Sequence, residues 1–434
     1  MEKFLVYSKK SSVFFLIPLV FFLLFSIESI AQITDTTDSS FTEYNGSVID
    51  ISTKKALVFA DLNVKGTNIS TITNSEGEFL LKIPNDIKSK IVIVSYLGYE
   101  SLEYLLSDNN KDKIKISLAL SVTELEEIKI NVPKDAKSLV RAALRTKGAS
   151  YYNEPTLMTA FYRETIKKRR KNASLSEAVV EIYKQPYTSS RRDAIKLIKA
   201  RKNTNYSRLD TIALKLQGGP FSTLYSDVVK YPSYVFPEGN LDNYDFKFEE
   251  STQIDNRRVY VISFKQKPNV DIPLYYGKLY IDGRTFALTS AIYNVNLTNK
   301  EKATAMFVRR KPRNVDTYPI EVGYRVNYRV KDGKWYYGYS NILLTFKVNW
   351  KKKWFNSVYT LQSEMAITDW EPNTTGINKP KNTLKPSVIS ADEASGFSDP
   401  EFWGEFNIIE PEKSIESAIR KISKRVKRKK VNPN

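Results

Sequence analysis

The side chains that usually start a reaction are largely missing from this 434-residue chain: it has no histidine and no cysteine. Without imidazole or thiolate, neither a Ser-His-Asp nor a Cys-His nucleophile can be assembled. A bound cation would be held by oxygen alone, a donor set that suits calcium or magnesium rather than zinc. What remains is a carboxylate pair, which cleaves glycosidic bonds when the two groups stand about 5–9.5 Å apart, or a Ser-Lys couple. Glu249, Glu250, Asp255 and Asp282 are the carboxylates in view, and all are interleaved with charged or turn residues, where solvated faces and turn caps are the ordinary explanation. Ser52 and Lys55 have Ser-x-x-Lys spacing but lie between two strands. No set makes a reaction centre or calls for a cofactor, and the chain reads as non-enzymatic.

Charge is the second chemical resource. The formal net charge is +19, a balance that often means nucleic acid. The N-terminus argues against that partner: Lys3, Lys9 and Lys10 precede the apolar run Val13 to Phe25, and Ser29-Ile30-Ala31 is a small-x-small cleavage site. The run is too short to span a bilayer comfortably. The expectation is a signal peptide over 1–31, cleaved after Ala31, and an exported chain that is periplasmic or outer-membrane associated. With no cysteine there is neither a lipid-acceptor thiol nor a disulfide. Outside the cytoplasm the polyanions on offer are lipid head groups, lipopolysaccharide phosphates and acidic glycans; charge that merely solubilises is the plain alternative.

Two basic features stand out. Lys167-Lys168-Arg169-Arg170-Lys171 reads as a solvated turn or a head-group contact. Beyond Pro411, Ile415, Ala418, Ile419, Ile422 and Val426 form a helical stripe, and Arg425, Lys427, Arg428, Lys429 and Lys430 are the candidate contacts with an anionic membrane surface. The competing expectation is that the stripe docks on the protein while the charges fray into water.

The elements that position these residues are mainly strands. After a polar lead-in over 32–43, Gly46 to Asp50, Ala60 to Thr67, Phe79 to Pro84 and Ile91 to Tyr96 alternate, with Val48, Val58, Leu62, Val64, Phe79, Leu81, Val92 and Val94 expected to face one core. Thr73-Asn74-Ser75-Glu76-Gly77 makes a tight turn, in which Gly77 supplies a positive backbone angle. Leu125 to Ile130 is expected to complete the unit. This succession resembles the carboxypeptidase-type regulatory domain, a prealbumin-like sandwich common at the front of outer-membrane receptors and other exported proteins of the Bacteroidetes. The resemblance implies a β-sandwich over 44–131 and a compartment. It does not imply peptidase activity, because the zinc ligands are absent, and Asn74 stands where an Asp is common in that family.

From Pro133 the period changes. Ala136, Leu139, Val140, Ala143 and Leu144 share one helical stripe, which predicts a connecting helix over 132–150 ending before Gly148. A helix-plus-antiparallel-sheet domain is expected over 151–367. Phe161 to Glu164, Ser176 to Lys184 and Asp193 to Lys202 resemble the region that follows the regulatory domain in exported Bacteroidetes proteins. Asp282-Gly283 and Asp332-Gly333 lie between alternating apolar residues, a strong hairpin signal. Ile342, Leu344, Phe346, Val348 and Trp350 share a face and are the candidate apolar groove.

A sheet of this kind with preceding helices is similar to the periplasmic lipoprotein-carrier fold, which implies a cavity for lipid or acyl chains; a face filled by the domain's own helices has the same pattern. A linker or strap over 368–400 and a docking patch with a basic helix over 401–434 complete the chain. A transmembrane barrel is rejected, since lysine and arginine occupy both strand faces. The expectation is a mainly β (α+β), exported binding or assembly protein that takes lipid or acyl chains. One alternative is a structural adaptor of an outer-membrane complex. Another is a carbohydrate-active enzyme using a carboxylate pair.

Overall fold

The structure, a computed structural model, describes residues 40–107, 113–121, 135–169, 171–204, 218–237, 240–254, 257–308, 311, 313–351, 354–388 and 402–413. Leu125 to Ile130, Asp255 and the candidate surface contacts Arg425, Lys427, Arg428, Lys429 and Lys430 lie outside the described residues.

The first strands are β1 (Phe41–Asp50), β2 (Asp61–Val64), β3 (Ser70–Ile72), β4 (Glu78–Pro84), β5 (Ile91–Ser95), β6 (Leu102–Leu105) and β7 (Ile114–Leu118). They form a three-stranded sheet, β4-β1-β7, and a four-stranded sheet, β3-β2-β5-β6. Between them Val48, Leu62, Val64, Phe79, Leu81, Val92 and Val94 are buried in one core, as their alternation requires; Val58 is only half-buried, and its neighbour Leu57 enters the core instead. At the β3–β4 turn Asn74 Oδ1 accepts from the amides of Glu76 and Glu78 at 2.8 and 2.9 Å. Gly77 takes φ +74°, and a Cβ there would come within 2.8 Å of Ala56.

Helix α1 (Ala136–Arg145) is capped by Asp135, whose carboxylate accepts from the Ser138 amide at 2.8 Å. Ala136, Leu139, Val140 and Ala143 are buried as the stripe predicts. The helix ends before Gly148 as expected, at Arg145, and Gly148 lies inside a separate short helix, α2 (Lys147–Ser150). The large sheet follows, with β8 (Thr156–Lys168), β9 (Lys171–Lys184), β10 (Ala194–Thr204), β11 (Tyr244–Phe248), β12 (Thr252–Ile254), β13 (Arg257–Gln266), β14 (Tyr275–Asp282), β15 (Leu288–Val295), β16 (Val315–Lys331), β17 (Lys334–Trp350) and β18 (Ser357–Pro372). Helix α3 (Pro220–Leu224) comes between β10 and β11, and α4 (Lys300–Phe307) between β15 and β16.

These eleven strands form one antiparallel sheet in the order β10-β9-β8-β18-β17-β16-β15-β14-β13-β11, with β12 paired to β13. β10 and β11 end the order, so the sheet is open among the described strands. The β10 edge is covered by the chain beyond β18, where Leu384 N donates to Ile195 O at 2.8 Å, which blunts an edge otherwise ready to pair with another chain. β18 itself runs on to Pro372, past the change of composition at Thr368, and Trp370 packs edge-on to Tyr152 and tilted on Tyr336.

Both Asp-Gly pairs turn the chain. Asp332 and Gly333 have φ +50° and +76°, the signature of the two-residue turn that matches strand twist. Asp282-Gly283 opens a wider turn instead. Asp282 Oδ1 accepts from the Thr285 amide at 2.7 Å, and Phe286 carries the positive φ of +55°, so β15 starts only at Leu288. One face of the sheet packs on α1, α3 and the chain between β10 and β11; the opposite face carries the sandwich and residues 402–412.

Candidate functional site

The proposed apolar groove is assembled but occupied. Ile342, Leu344, Phe346 and Val348 line up on β17 with 7%, 8%, 6% and 0% of their surface exposed, and Trp350 is half-buried at the rim. Leu297, Phe307 and Val308, from the connection between β15 and β16, pack against them together with Val322, Tyr359 and Leu361. In sequence an open groove and a self-filled face have the same alternation. Which one forms depends on where a connection elsewhere in the chain comes to rest.

Of the carboxylates singled out above, the three that are described, Glu249, Glu250 and Asp282, do not converge on a centre. Glu249 and Glu250 are exposed, Glu249 standing 3.9 Å from Lys278. Asp282 is buried as the cap of its turn, with Arg257 at 3.9 Å.

The chain's concentrated buried charge lies elsewhere, on strands whose apolar pattern hid it. Lys184, the last residue of β9, donates to Asp193 Oδ2 at 2.9 Å and Asp227 Oδ2 at 2.7 Å, and all three side chains are within 2% of full burial. Its ammonium faces the rings of Tyr187, Tyr231 and Tyr337 at 5.0–5.7 Å. Burial opposes that charge, but Asp193 and Asp227 outweigh it and hold the amine above its ordinary value. Each carboxylate accepts two further bonds: Tyr231 and the Gln185 amide donate to Asp193, and Tyr328 and the Lys230 amide donate to Asp227. Lys230 bonds the carbonyls of Pro186 and Ser189, and burial lowers its amine to about 8. These bonds lock the end of β9 and the segment after it to the chain following α3 and to β16.

On the opposite face two arginines tie the sandwich and the segment 402–412, here called the C-terminal strap, to the sheet. Arg329 of β16 donates to Asp61 Oδ1, Ser70 Oγ and the Ile367 carbonyl at 2.8, 2.8 and 2.6 Å, with 4% of its side chain exposed. Gly338, the unpaired residue of a bulge in β17, is required by this path: a Cβ there would come within 2.8 Å of the Arg329 side chain. Arg163 of β8 bonds Glu177 at 2.8 Å and the Ile409 carbonyl at 2.6 Å, and Arg201 takes the other Glu177 oxygen at 2.8 Å. Asn407 exchanges two bonds with the Lys82 backbone, at 2.6 and 2.9 Å, so the strap is stitched to β4 as well. Trp403 meets Phe161 edge to face at 5.4 Å, under Arg201.

Glu410 lies in this seam, and burial raises its carboxyl to about 7, against the pull of Arg163 and with the push of Glu78. Its folded pKa is above the unfolded value, so the folded state binds the extra proton and stability falls as pH rises through the window from 4.5 to about 7. Glu410→Gln is therefore expected to be about 2 kcal/mol more stable than the parent near pH 8, with the gain vanishing near pH 4. Urea unfolding at the two pH values checks this; a gain that persisted in acid would contradict it.

Between sandwich and sheet a cleft of about 420 Å³ stays open. One wall is the β2–β3 turn with Lys65 and Gly66, and the start of β6 with Leu102 and Glu103; the other is Arg257, Tyr336 and the β16–β17 turn with Lys331 and Asp332. Lys65 and Glu103 pair across the sandwich wall at 2.7 Å. β6, which borders the cleft, ends its sheet and exposes Leu102 and Leu105 by 38% and 71%. Sequence reasoning missed this site because its walls come from five separate stretches, each an ordinary turn or strand end by itself.

Comparison with known proteins adds one assignment. No curated protein matches the chain. The crystal structure of a DUF1329 family protein from Desulfovibrio piger ATCC 29098 is similar over 56% of this chain and 95% of that one, at 10% identity and a TM-score of 0.24, too low to carry an argument. The chain is mostly β, with a sandwich-like domain ahead of a large antiparallel sheet, and residues 44–130 match the model of the CarboxypepD_reg-like domain.

Proposed function

We propose that the protein is a non-enzymatic, exported assembly module that takes an extended segment of a protein partner along β6, with side chains entering the cleft between sandwich and sheet. The observation that carries this reading is a 420 Å³ cleft opening beside an exposed edge strand. Strand addition gains main-chain hydrogen bonds from the edge, and pockets for alternate side chains supply selectivity. The alternating cations and carboxylates of the cleft suit a polar segment of mixed charge. The buried Arg329 contacts hold the two walls together, so the cleft is pre-organised and less ordering cost opposes binding. The regulatory-like domain is a non-catalytic type and supports a binding or assembly role. An acyl-chain ligand is less well supported, because the β17 face is already packed by the chain itself.

The test is cross-linking of the full-length protein in its own envelope, with partner segments identified by mass spectrometry. Leu105→Pro, which removes a donor from the edge, and Lys65→Glu, at an exposed cation of the cleft, are each expected to reduce the cross-linked partner at least about tenfold, with melting unchanged. Unaltered cross-linking in both variants would refute the site. Turnover of a substrate, abolished by neutralising one acidic side chain, would refute the non-enzymatic reading.

A further inference from the structure

At the end of the large sheet away from the cleft, three connections come side by side. Lys168 of β8 pairs with Lys171 of β9 and with Tyr359 of β18; Ser357 of β18 pairs with Val348 of β17; Trp350 of β17 pairs with Val315 of β16. The β8–β9 turn, the β17–β18 turn and the connection entering β16 therefore occupy one rim, about 20 Å across at the usual strand spacing. Each is basic in sequence: Lys167 to Lys171, Lys351 to Lys353, and Arg309 to Arg313.

At the tip of the β17–β18 turn, Trp354 is 98% exposed and Phe355 80% exposed. Arg169, Lys171, Arg313 and Lys351 are exposed around them. Lys167 is paired with Glu412 at 3.3 Å, and Lys311 donates to the Val315 carbonyl at 2.8 Å. Folding has left a neighbouring indole and phenyl in water while burying Trp335, Trp370 and Trp403 to 6% exposure or less. Nothing in the core uses the tip, and the strand order sets it between the β8–β9 turn and the connection entering β16.

We propose that this rim is a membrane-docking surface: Trp354 and Phe355 enter the head-group layer of an anionic bilayer while the surrounding lysines and arginines bind lipid phosphates. Tryptophan favours that depth because its ring is apolar with one polar N–H. A basic side chain close to an anionic surface adds about fivefold to affinity. Aromatic insertion and cation attraction thus act on the same bilayer, whereas a protein partner would have to match three separate basic connections in shape. Among the described residues no helix is long and apolar enough to cross a membrane, and this surface makes a peripheral contact that needs none. The inference is independent of the cleft, which lies at the other end of the 17-residue strand β16, at most about 55 Å away.

The experiment uses the full chain with vesicles of phosphatidylglycerol mixed into phosphatidylcholine, and of phosphatidylcholine alone. Binding is read by sedimentation and by tryptophan emission, for which Trp354 is the exposed reporter. The expected result is binding to the anionic vesicles with a blue shift, weakened by salt, and at least about tenfold weaker binding to the neutral ones. Trp354→Ala with Phe355→Ala should abolish the blue shift and weaken binding about tenfold or more, and Arg169→Glu with Lys171→Glu should weaken it by about 25-fold or more. Both pairs are exposed, so unchanged melting confirms that folding is intact. Vesicle binding indifferent to the aromatic pair, no preference for anionic lipid, or capture of a soluble protein by this tip without vesicle binding would each overturn the proposal.

Discussion

Replacing Lys184 by methionine lowers the stability of the folded chain by about 4 kcal/mol at neutral pH, the loss expected when one partner of a buried ionic cluster is removed. Methionine keeps most of the side-chain volume, so the effect is electrostatic rather than a cavity. The variant leaves Asp193 and Asp227, both fully buried, without the ammonium that bonds them at 2.9 and 2.7 Å. A buried carboxylate without a cation folds more easily protonated. The folded variant therefore binds protons that its unfolded chain does not, and the loss shrinks as pH falls from 7 toward about 4. In the parent the sign is opposite: the raised Lys184 amine contributes stability that is complete below 10.5 and lost as pH rises through the higher folded value. Chemical denaturation at pH 7.5 and 5 decides it. A loss under about 1 kcal/mol would show that the cluster is dispensable, and one that does not vary with pH would contradict the proton uptake by the folded variant.

The second large effect is at the seam between sandwich and sheet. Arg329→Met is expected to cost about 3–5 kcal/mol and to raise hydrogen exchange in β2 and β3 well above that of the sheet core. The reason is that Asp61, with 10% of its side chain exposed, loses its cation while Ser70 and the Ile367 carbonyl lose a donor. Adding Asp61→Asn should restore part of the loss, because no lone charge is then left in the seam. If β2 and β3 stayed as protected as before, the arginine would not be the clamp. The same variant should loosen the cleft, whose two walls it holds together.

Several features were legible from residue types alone. The Asn74–Gly77 turn and the Asp332-Gly333 turn demand backbone angles that few other residues adopt, so the sequence located both, and the structure gives Gly77 φ +74° and Gly333 φ +76°. The stripe Ala136, Leu139, Val140 and Ala143 is buried as its period requires. Alternation in β17 correctly marked Ile342, Leu344, Phe346 and Val348 as one apolar face, because a period of two is a local property of extended chain.

The chain's own alphabet determined the mostly β architecture, the front sandwich, the turns and the absence of imidazole and thiol chemistry. Tertiary structure alone decided what each face meets. It filled the β17 face from a connection before β16, brought Asp61 to Arg329 across 268 positions, and used the Gly338 bulge to let that arginine pass. It also gathered three basic turns on one rim around Trp354. Local patterns report whether a side chain will seek water or leave it; they do not report which distant segment arrives to cover it, since that is settled by the register of long-range strand pairing.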